Sequence, residues 1–548
     1  MPIQLNRKTH RDLALFAHWD RLDDALFEHI PRERLKAAQA AMQGYFVLPG
    51  DPAYDTDRKL SNAVFDAYPT VIIYCEVESD VAVALELARG QKLPFTVRSG
   101  GHCTAGFSAG SGALIDVSNL NDATVDVANA IATAGTGCPF KKFDAVLAAS
   151  GLHVPGGECE DVCIGGFMQG GGYGFTSVTY GMHCDNVIDF RMMLADGQIV
   201  TASASENADL WWAVRGGTGG NFGVLLSVRY QLVPLGDVFG WALIWPLQTP
   251  TDFDNGTGAL MTLQSNYMLA NTNRALNIQV SLCFQPGIVG NLPPDTPLQP
   301  YLMLRGLYVG SEADGQAAIQ MLCDLPGAIM QWSKYDSFFT LNDQLLSLPY
   351  SMPWFPPSVT TWPPEDKASR YVTRQLAASE WRGLLEYFVS SPNTWSYFYM
   401  ELYGGAINAY PQDGNAFVHR NAAFNAVLDV FWFDEAERPA AENFLLGWMA
   451  YMEPMWNGEI YQNYPRLNEP DYGARYWADA QADLFAVKTK YDPSHAFTFA
   501  QEIVAPVLSK SPGIALTSAP TGSPTSAPSR VRLALAQPIV YTNAKHRV

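Results

Sequence analysis

An α+β fold built from two unlike halves is what the sequence predicts, on three observations. Between residues 69 and 117 apolar, β-branched runs flank one helical run, and a glycine-rich turn follows the second strand. Past residue 240 the pattern changes, and strand-like runs such as Leu276–Phe284 and Tyr301–Val309 alternate with helical ones such as Asp314–Met321. Those runs suggest an antiparallel sheet backed by helices. A chain of 548 residues also exceeds one ordinary core, so two or more domains are expected.

Taken in order, residues 11–43 carry apolar positions at near-helical spacing (Leu13, Phe16, Leu22, Leu26, Ile30, Leu35) and predict one or two amphipathic helices. Pro69–Cys75 reads as a strand, Val81–Arg89 as a helix and Leu93–Val97 as a strand, which together make a β-α-β unit. Ala113–Val117 and Ile131–Gly135 are further strands, and residues 140–150 form a helix ending at Gly151. Val187–Val200 is a hairpin turning at Ala195-Asp196-Gly197, and Leu210–Val214 is helical. A proline-rich stretch between Leu346 and Pro364, with Tyr350, Trp354, Phe355 and Trp362, is expected to be a loop over a cleft. The Ser/Pro/Thr/Ala-rich tail from Ser509 is expected to be disordered.

Composition narrows the function class. A formal net charge of −19 argues against nucleic acid and anionic membranes, because a phosphate-backbone binder needs a basic face. No apolar run approaches a membrane span, and charged residues interrupt the N-terminus where a signal peptide would need its apolar stretch. Eight scattered cysteines do not form a disulfide framework, and a cytoplasmic location is expected. No metal is expected, since His153, His183 and Cys184 lack paired ligand spacing.

The chemistry lies between Phe95 and Gly174. Val97-Arg98-Ser99-Gly100-Gly101-His102-Cys103 is a glycine turn after a strand, where backbone N–H groups can approach an anion and Arg98 can add charge for a phosphate. Pro155-Gly156-Gly157-Glu158-Cys159-Glu160-Asp161-Val162 is a second turn, running on to Gly170-Gly171-Gly172-Tyr173-Gly174. A glycine loop by itself says little. An imidazole in one turn and a thiol in another are nucleophiles able to bond an electrophilic cofactor.

These paired motifs resemble the FAD-linked oxidases of the berberine-bridge-enzyme type, in the vanillyl-alcohol-oxidase (PCMH) fold group, and the resemblance runs from about Gln43 to Ile503. It implies a two-part FAD-binding domain of PCMH type and an antiparallel-sheet substrate domain with helices. The expected boundaries are 1–43 for an N-terminal helical extension, 44–236 for the FAD domain, 237–457 for the substrate domain, 458–505 for a segment returning to the flavin and 506–548 for the tail. It further implies a bicovalent flavin, with His102 on the 8α-methyl and Cys159 on C6. Cys163, where the family has glycine, is then a bystander. The implied cofactor-binding set includes Arg98, Ser99, Gly100, Gly101, Cys103 and Gly106. It continues through Gly157, Val162, Gly165, Gly172, Gly223, Val224 and Asn463.

The resemblance also implies a tyrosine base. Tyr461 and Asn463, two apart, would share one face of an extended strand, so Tyr461 is the first candidate and Tyr464 the reserve. Tyr173 is expected to line the substrate side of the ring. Asn408-Ala409-Tyr410, shortly after Gly404-Gly405, offers no acidic base, which disfavours berberine-type ring closure, and Thr104 stands where some members have a substrate-touching tyrosine. Val162 favours dioxygen as acceptor. His419-Arg420 is read as structural, and Trp354, Trp362 and Trp395 could stack on a sugar or simply pack. The expected activity is oxidation of an alcohol or hemiacetal carbon of a sugar or glycosylated metabolite with release of hydrogen peroxide. Oxidative cyclisation or dehydrogenation of a secondary metabolite is the alternative, and a low-turnover flavin-bearing binding protein is the alternative of another class. The sequence leaves the oligomeric state open.

Overall fold

The computed structural model describes Trp19 and residues 22–286, 297–347 and 362–506. The tail, most of the proline-rich stretch with Trp354, and the start of the N-terminal helical run lie outside the described residues. Within that run, helix Arg32–Ala40 buries Leu35 and Gln39.

The first sheet orders β1 (Tyr45–Val47), β2 (Val71–Tyr74), β4 (Ala113–Asp116) and β3 (Phe95–Arg98) side by side. Helix Glu78–Gly90 carries the chain from β2 to β3, burying Val81, Ala84, Leu85 and Ala88 on one stripe. The β-α-β unit is present, with β4 inserted parallel between its two strands. The continuous apolar run of β2 follows from burial on both faces: Val71 and Ile73 enter one core, Ile72 and Tyr74 another.

The second sheet draws on β5 (Ala123–Asp126), β6 (Ile131–Gly135), β8 (Val187–Met193), β9 (Ile199–Ser203) and β10 (Val224–Gln231), in the order β5-β6-β10-β8-β9. The short strands β7 (Leu152–His153) and β11 (Val233–Pro234) pair beside it. The expected hairpin is β8–β9, with Gly197 at φ +88° in its turn.

The third sheet is antiparallel and seven-stranded. Its strands are β12 (Asp237–Pro246), β13 (Leu276–Pro286), β14 (Leu298–Tyr308), β15 (Ile329–Ser337), β16 (Glu365–Val372), β17 (Tyr397–Leu402) and β18 (Phe424–Phe431). They lie in the order β15-β12-β14-β13-β17-β18-β16. The period of two explains its orientation. Ile278, Val280 and Leu282 of β13, Phe398, Met400 and Leu402 of β17, and Ala426, Leu428 and Val430 of β18 join one apolar core. Trp381, Leu385, Leu445 and Trp448 of helices Ala378–Val389 and Arg438–Met452 belong to that core too. The alternate residues, among them Gln279, Arg305, Tyr397, Tyr399, Glu401 and Asp429, are buried on the opposite face.

After the helix Arg438–Met452 the chain returns to the glycine-rich half. Gln462 Nε2 donates to Gly216 O at 3.0 Å, and Lys488, on helix Gln481–Tyr491, donates through Nζ to Asn221 O at 3.1 Å. Among the described residues no helix is long and apolar enough to cross a membrane.

Candidate active site

One cleft separates the glycine-rich turns from the polar face of the third sheet. Its empty volume, counted out to the mouth, is ≈ 2390 Å³.

The two turns meet at this cleft. Ser99, Gly100, Gly101, His102 and Cys103 line it from the first turn, and Gly157, Cys159, Val162 and Gly165 from the second. Gly223 and Asn463 line it as well, and so do all three tyrosine candidates. Cys159 is open to the cleft yet ringed by protein, and that desolvation, with Glu158 second, pushes its thiol up to about 12. Cys163 is also in the wall, with its Sγ 3.2 Å from Gly137 O and its backbone packed against Gly100.

Four expected contacts take other roles. Arg98 does not reach the cleft. It is the register partner of Asp116, its Nε donates to Oδ2 at 2.5 Å, and both side chains are fully buried. A buried carboxylate without that partner would cost several kcal/mol, so the guanidinium is held in the sheet. Val224 opens β10 with its side chain in an apolar core. Gly106, at φ +74°, backs onto Phe65. Gly172 adopts φ +87°, which aims its N–H at Tyr461 Oη, 2.8 Å away.

The segment from Tyr461 to Tyr464 is a turn, not the extended strand expected, closed by Tyr464 N–H donating to Tyr461 O at 2.9 Å. The two rings meet edge to face, centroids 4.8 Å apart. Tyr461 is 1% exposed, and its oxygen accepts from both Gly172 N–H and Asn463 Nδ2, the latter at 3.1 Å. Asn463 Nδ2 also donates to Phe167 O at 2.8 Å, an approach that leaves no room for a Cβ on Gly170. Tyr464 is only half-buried, and its hydroxyl donates to Glu401 Oε1 at 2.5 Å. Tyr173 stacks on Tyr403 and donates to Leu402 O at 3.1 Å.

Glu401 is the functional candidate that sequence reasoning missed. It stands three residues before Gly404, inside a strand whose neighbours are apolar or aromatic, and burial pushes its carboxyl up to about 7. Asn425 Nδ2 donates to its other oxygen at 3.0 Å. A lone acid in a buried strand was the available signal. Elsewhere, Thr104 Oγ1 donates to Pro465 O at 2.7 Å, tying the first turn to the returning segment. His419 bridges Glu459 and Gln462, and Arg420 pairs with Asp185 through both terminal nitrogens. His153 meets Thr176 at 2.8 Å and His183 meets Pro155 O at 2.5 Å.

Comparison with known proteins agrees with this geometry. Residues 69–203 match the family profile described as an FAD binding domain, and residues 460–504 the one described as "Berberine and berberine like". YvdP of Bacillus subtilis strain 168, named an uncharacterized FAD-linked oxidoreductase, is 31% identical over 478 residues, covering 84% of this chain and 98% of the relative. The chain belongs to the berberine-bridge-type FAD-linked oxidoreductases. A carbohydrate oxidase of Microdochium nivale is 26% identical over 506 residues, 86% of this chain and 95% of that one. In fold, the solved xylooligosaccharide oxidase from Myceliophthora thermophila C1, in complex with xylobiose, matches with a TM-score of 0.72 at 22% identity over 87% of this chain and 99% of that one. FAD is therefore the cofactor of this berberine-bridge-type enzyme. The residues present fit it: two close-approach glycine turns bound one cleft, and an imidazole and a thiol face into it.

Proposed function

We propose that this protein is an FAD-dependent oxidase that takes a hydride from an alcohol or hemiacetal carbon of a sugar or glycosylated metabolite, with dioxygen reduced to hydrogen peroxide. The reading rests on the Tyr464–Glu401 hydrogen bond of 2.5 Å in the cleft shared by His102 and Cys159. FAD held there supplies the two-electron acceptor. Tyr464 accepts the proton of the substrate hydroxyl while its own phenolic proton moves along that bond to Glu401. A carboxyl near 7 can accept at neutral pH and release again afterwards. Tyr464 replaces Tyr461 as the preferred base, because Tyr461 is the more deeply buried and its oxygen is occupied in holding the Gly172 turn and Asn463. Trp362, Tyr397, Tyr399 and Phe431 line the same cleft and offer ring surfaces to a pyranose.

His102 and Cys159 are assigned as the two covalent attachment points, and Val162 as a wall residue compatible with dioxygen access. Glu401 also removes the objection to a second reading, oxidative cyclisation, since a buried carboxylate now faces the cleft.

Anaerobic mixing with sugars and alcohols, followed by flavin absorbance, tests the first reading: bleaching by a sugar, and one peroxide per product once air is admitted, supports it. Bleaching only by a secondary metabolite that leaves as a ring-closed product supports the second. Acid-precipitated protein should stay yellow, with peptide mass increments at His102 and Cys159; colourless protein would sink the covalent assignment.

A further inference from the structure

We propose that Glu158 is a positioning residue for the second flavin attachment, latching the Cys159 turn onto the substrate sheet so that the thiol is held where the bond forms. The inference rests on the assignment of Cys159 above. Glu158 immediately precedes Cys159, and its side chain crosses to the facing wall. One carboxylate oxygen accepts from Gln279 Nε2, and the other lies 3.9 Å from Arg305.

The receiving surface is rigid. Gln279 of β13 and Arg305 of β14 are register partners, so both project from one face of the sheet. They are 1% and 2% exposed. Arg305 also donates to Gln279 Oε1 at 3.1 Å and to Tyr397 Oη at 3.2 Å, and Tyr397 in turn shares a 3.0 Å hydrogen bond with Ser281 Oγ. Three neighbouring strands thus fix the two groups that hold Glu158. On its other side the turn is held by Lys141, whose Nζ reaches Glu160 at 2.7 Å and whose N–H donates to Glu160 O at 3.0 Å. Cys159 sits between these anchors.

The placement matters because the bond at Cys159 replaces a ring C–H with a C–S bond. The thiol proton and the ring proton leave to solvent, and the two electrons released pass to dioxygen. A displacement of about 1 Å in such a step costs on the order of 10²-fold in rate.

The test is peptide mass mapping of purified holoprotein, with thermal unfolding alongside. Wild type without a Cys159 adduct refutes the underlying assignment, independently of the latch. With wild type doubly linked, Glu158→Ala is expected to accumulate protein linked at His102 alone. Glu158→Gln, which keeps an oxygen for Gln279 to donate to, should restore most of the Cys159 adduct; a general loss of fold would not be rescued in this way. Gln279→Leu provides the second route should Glu158→Ala fail to fold, with adduct formation slowed roughly tenfold. Cys159 adducts at wild-type level in Glu158→Ala, or in Gln279→Leu where only that variant folds, would overturn the proposal, whatever happens to turnover.

Discussion

One wall of the cleft is made of turns and the other of sheet, and they use their residues differently. On the turn wall, glycines bring backbone close, and His102 and Cys159 are the proposed attachment points among its few side chains. On the sheet wall the backbone is consumed in ladder pairing, so everything presented to a ligand is side chain: aromatic rings, Arg305, Glu401 and Asp429. The first design suits a group that is the same in every turnover, and the second suits a substrate.

The largest expected effect tests whether the proton route ends on the sheet wall, at Glu401, by way of Tyr464 on the returning turn. Tyr464→Phe should lower kcat by about 10²–10⁴-fold, the usual range for a general base, with flavin content unchanged; rapid-mixing reduction kinetics would measure it. Arg98→Ala tests the turn wall's foundation, because it strands Asp116 as a buried charge. A loss of about 3–5 kcal/mol in denaturant unfolding is expected, and retention of stability would show that the pair does not hold the turn wall.

Glu401→Gln sharpens the contrast through pH. Burial raises this carboxyl to about 7, so it is protonated below that value and accepts a proton only above it. Wild-type kcat should therefore rise with pH through about 7, while Glu401→Gln loses about 10²-fold at high pH and its profile flattens. The smallest effect is expected from Tyr461→Phe, which leaves the Gly172 N–H without its acceptor. Stability should fall by about 1–3 kcal/mol, with kcat within about tenfold of wild type. A larger kcat loss than in Tyr464→Phe would reverse the assignment of the two tyrosines.

The same contrast explains what could be read from the sequence. That His102 and Cys159 would meet at one cleft was legible because each sits in a glycine turn, a local pattern with a local cause. Glu401 was not, because its meaning depends on β17 facing a cleft whose other wall lies far earlier in the chain. The extended reading of Tyr461-Gln462-Asn463-Tyr464 failed for a related reason. Those four residues include neither glycine nor proline to mark a turn, and Pro465 comes only after them. Contacts with Gly172 and Phe167 hold the segment as a turn. Arg98 was misjudged because its partner Asp116 is fixed by strand register, not by proximity along the chain.

The returning segment carries a consequence for biosynthesis. Tyr461, Asn463 and Lys488 clamp onto Gly172, Phe167 and Asn221, which are translated 289, 296 and 267 residues sooner. A nascent chain therefore lacks part of its prosthetic-group enclosure until the segment from Tyr461 to Lys488 has left the ribosome.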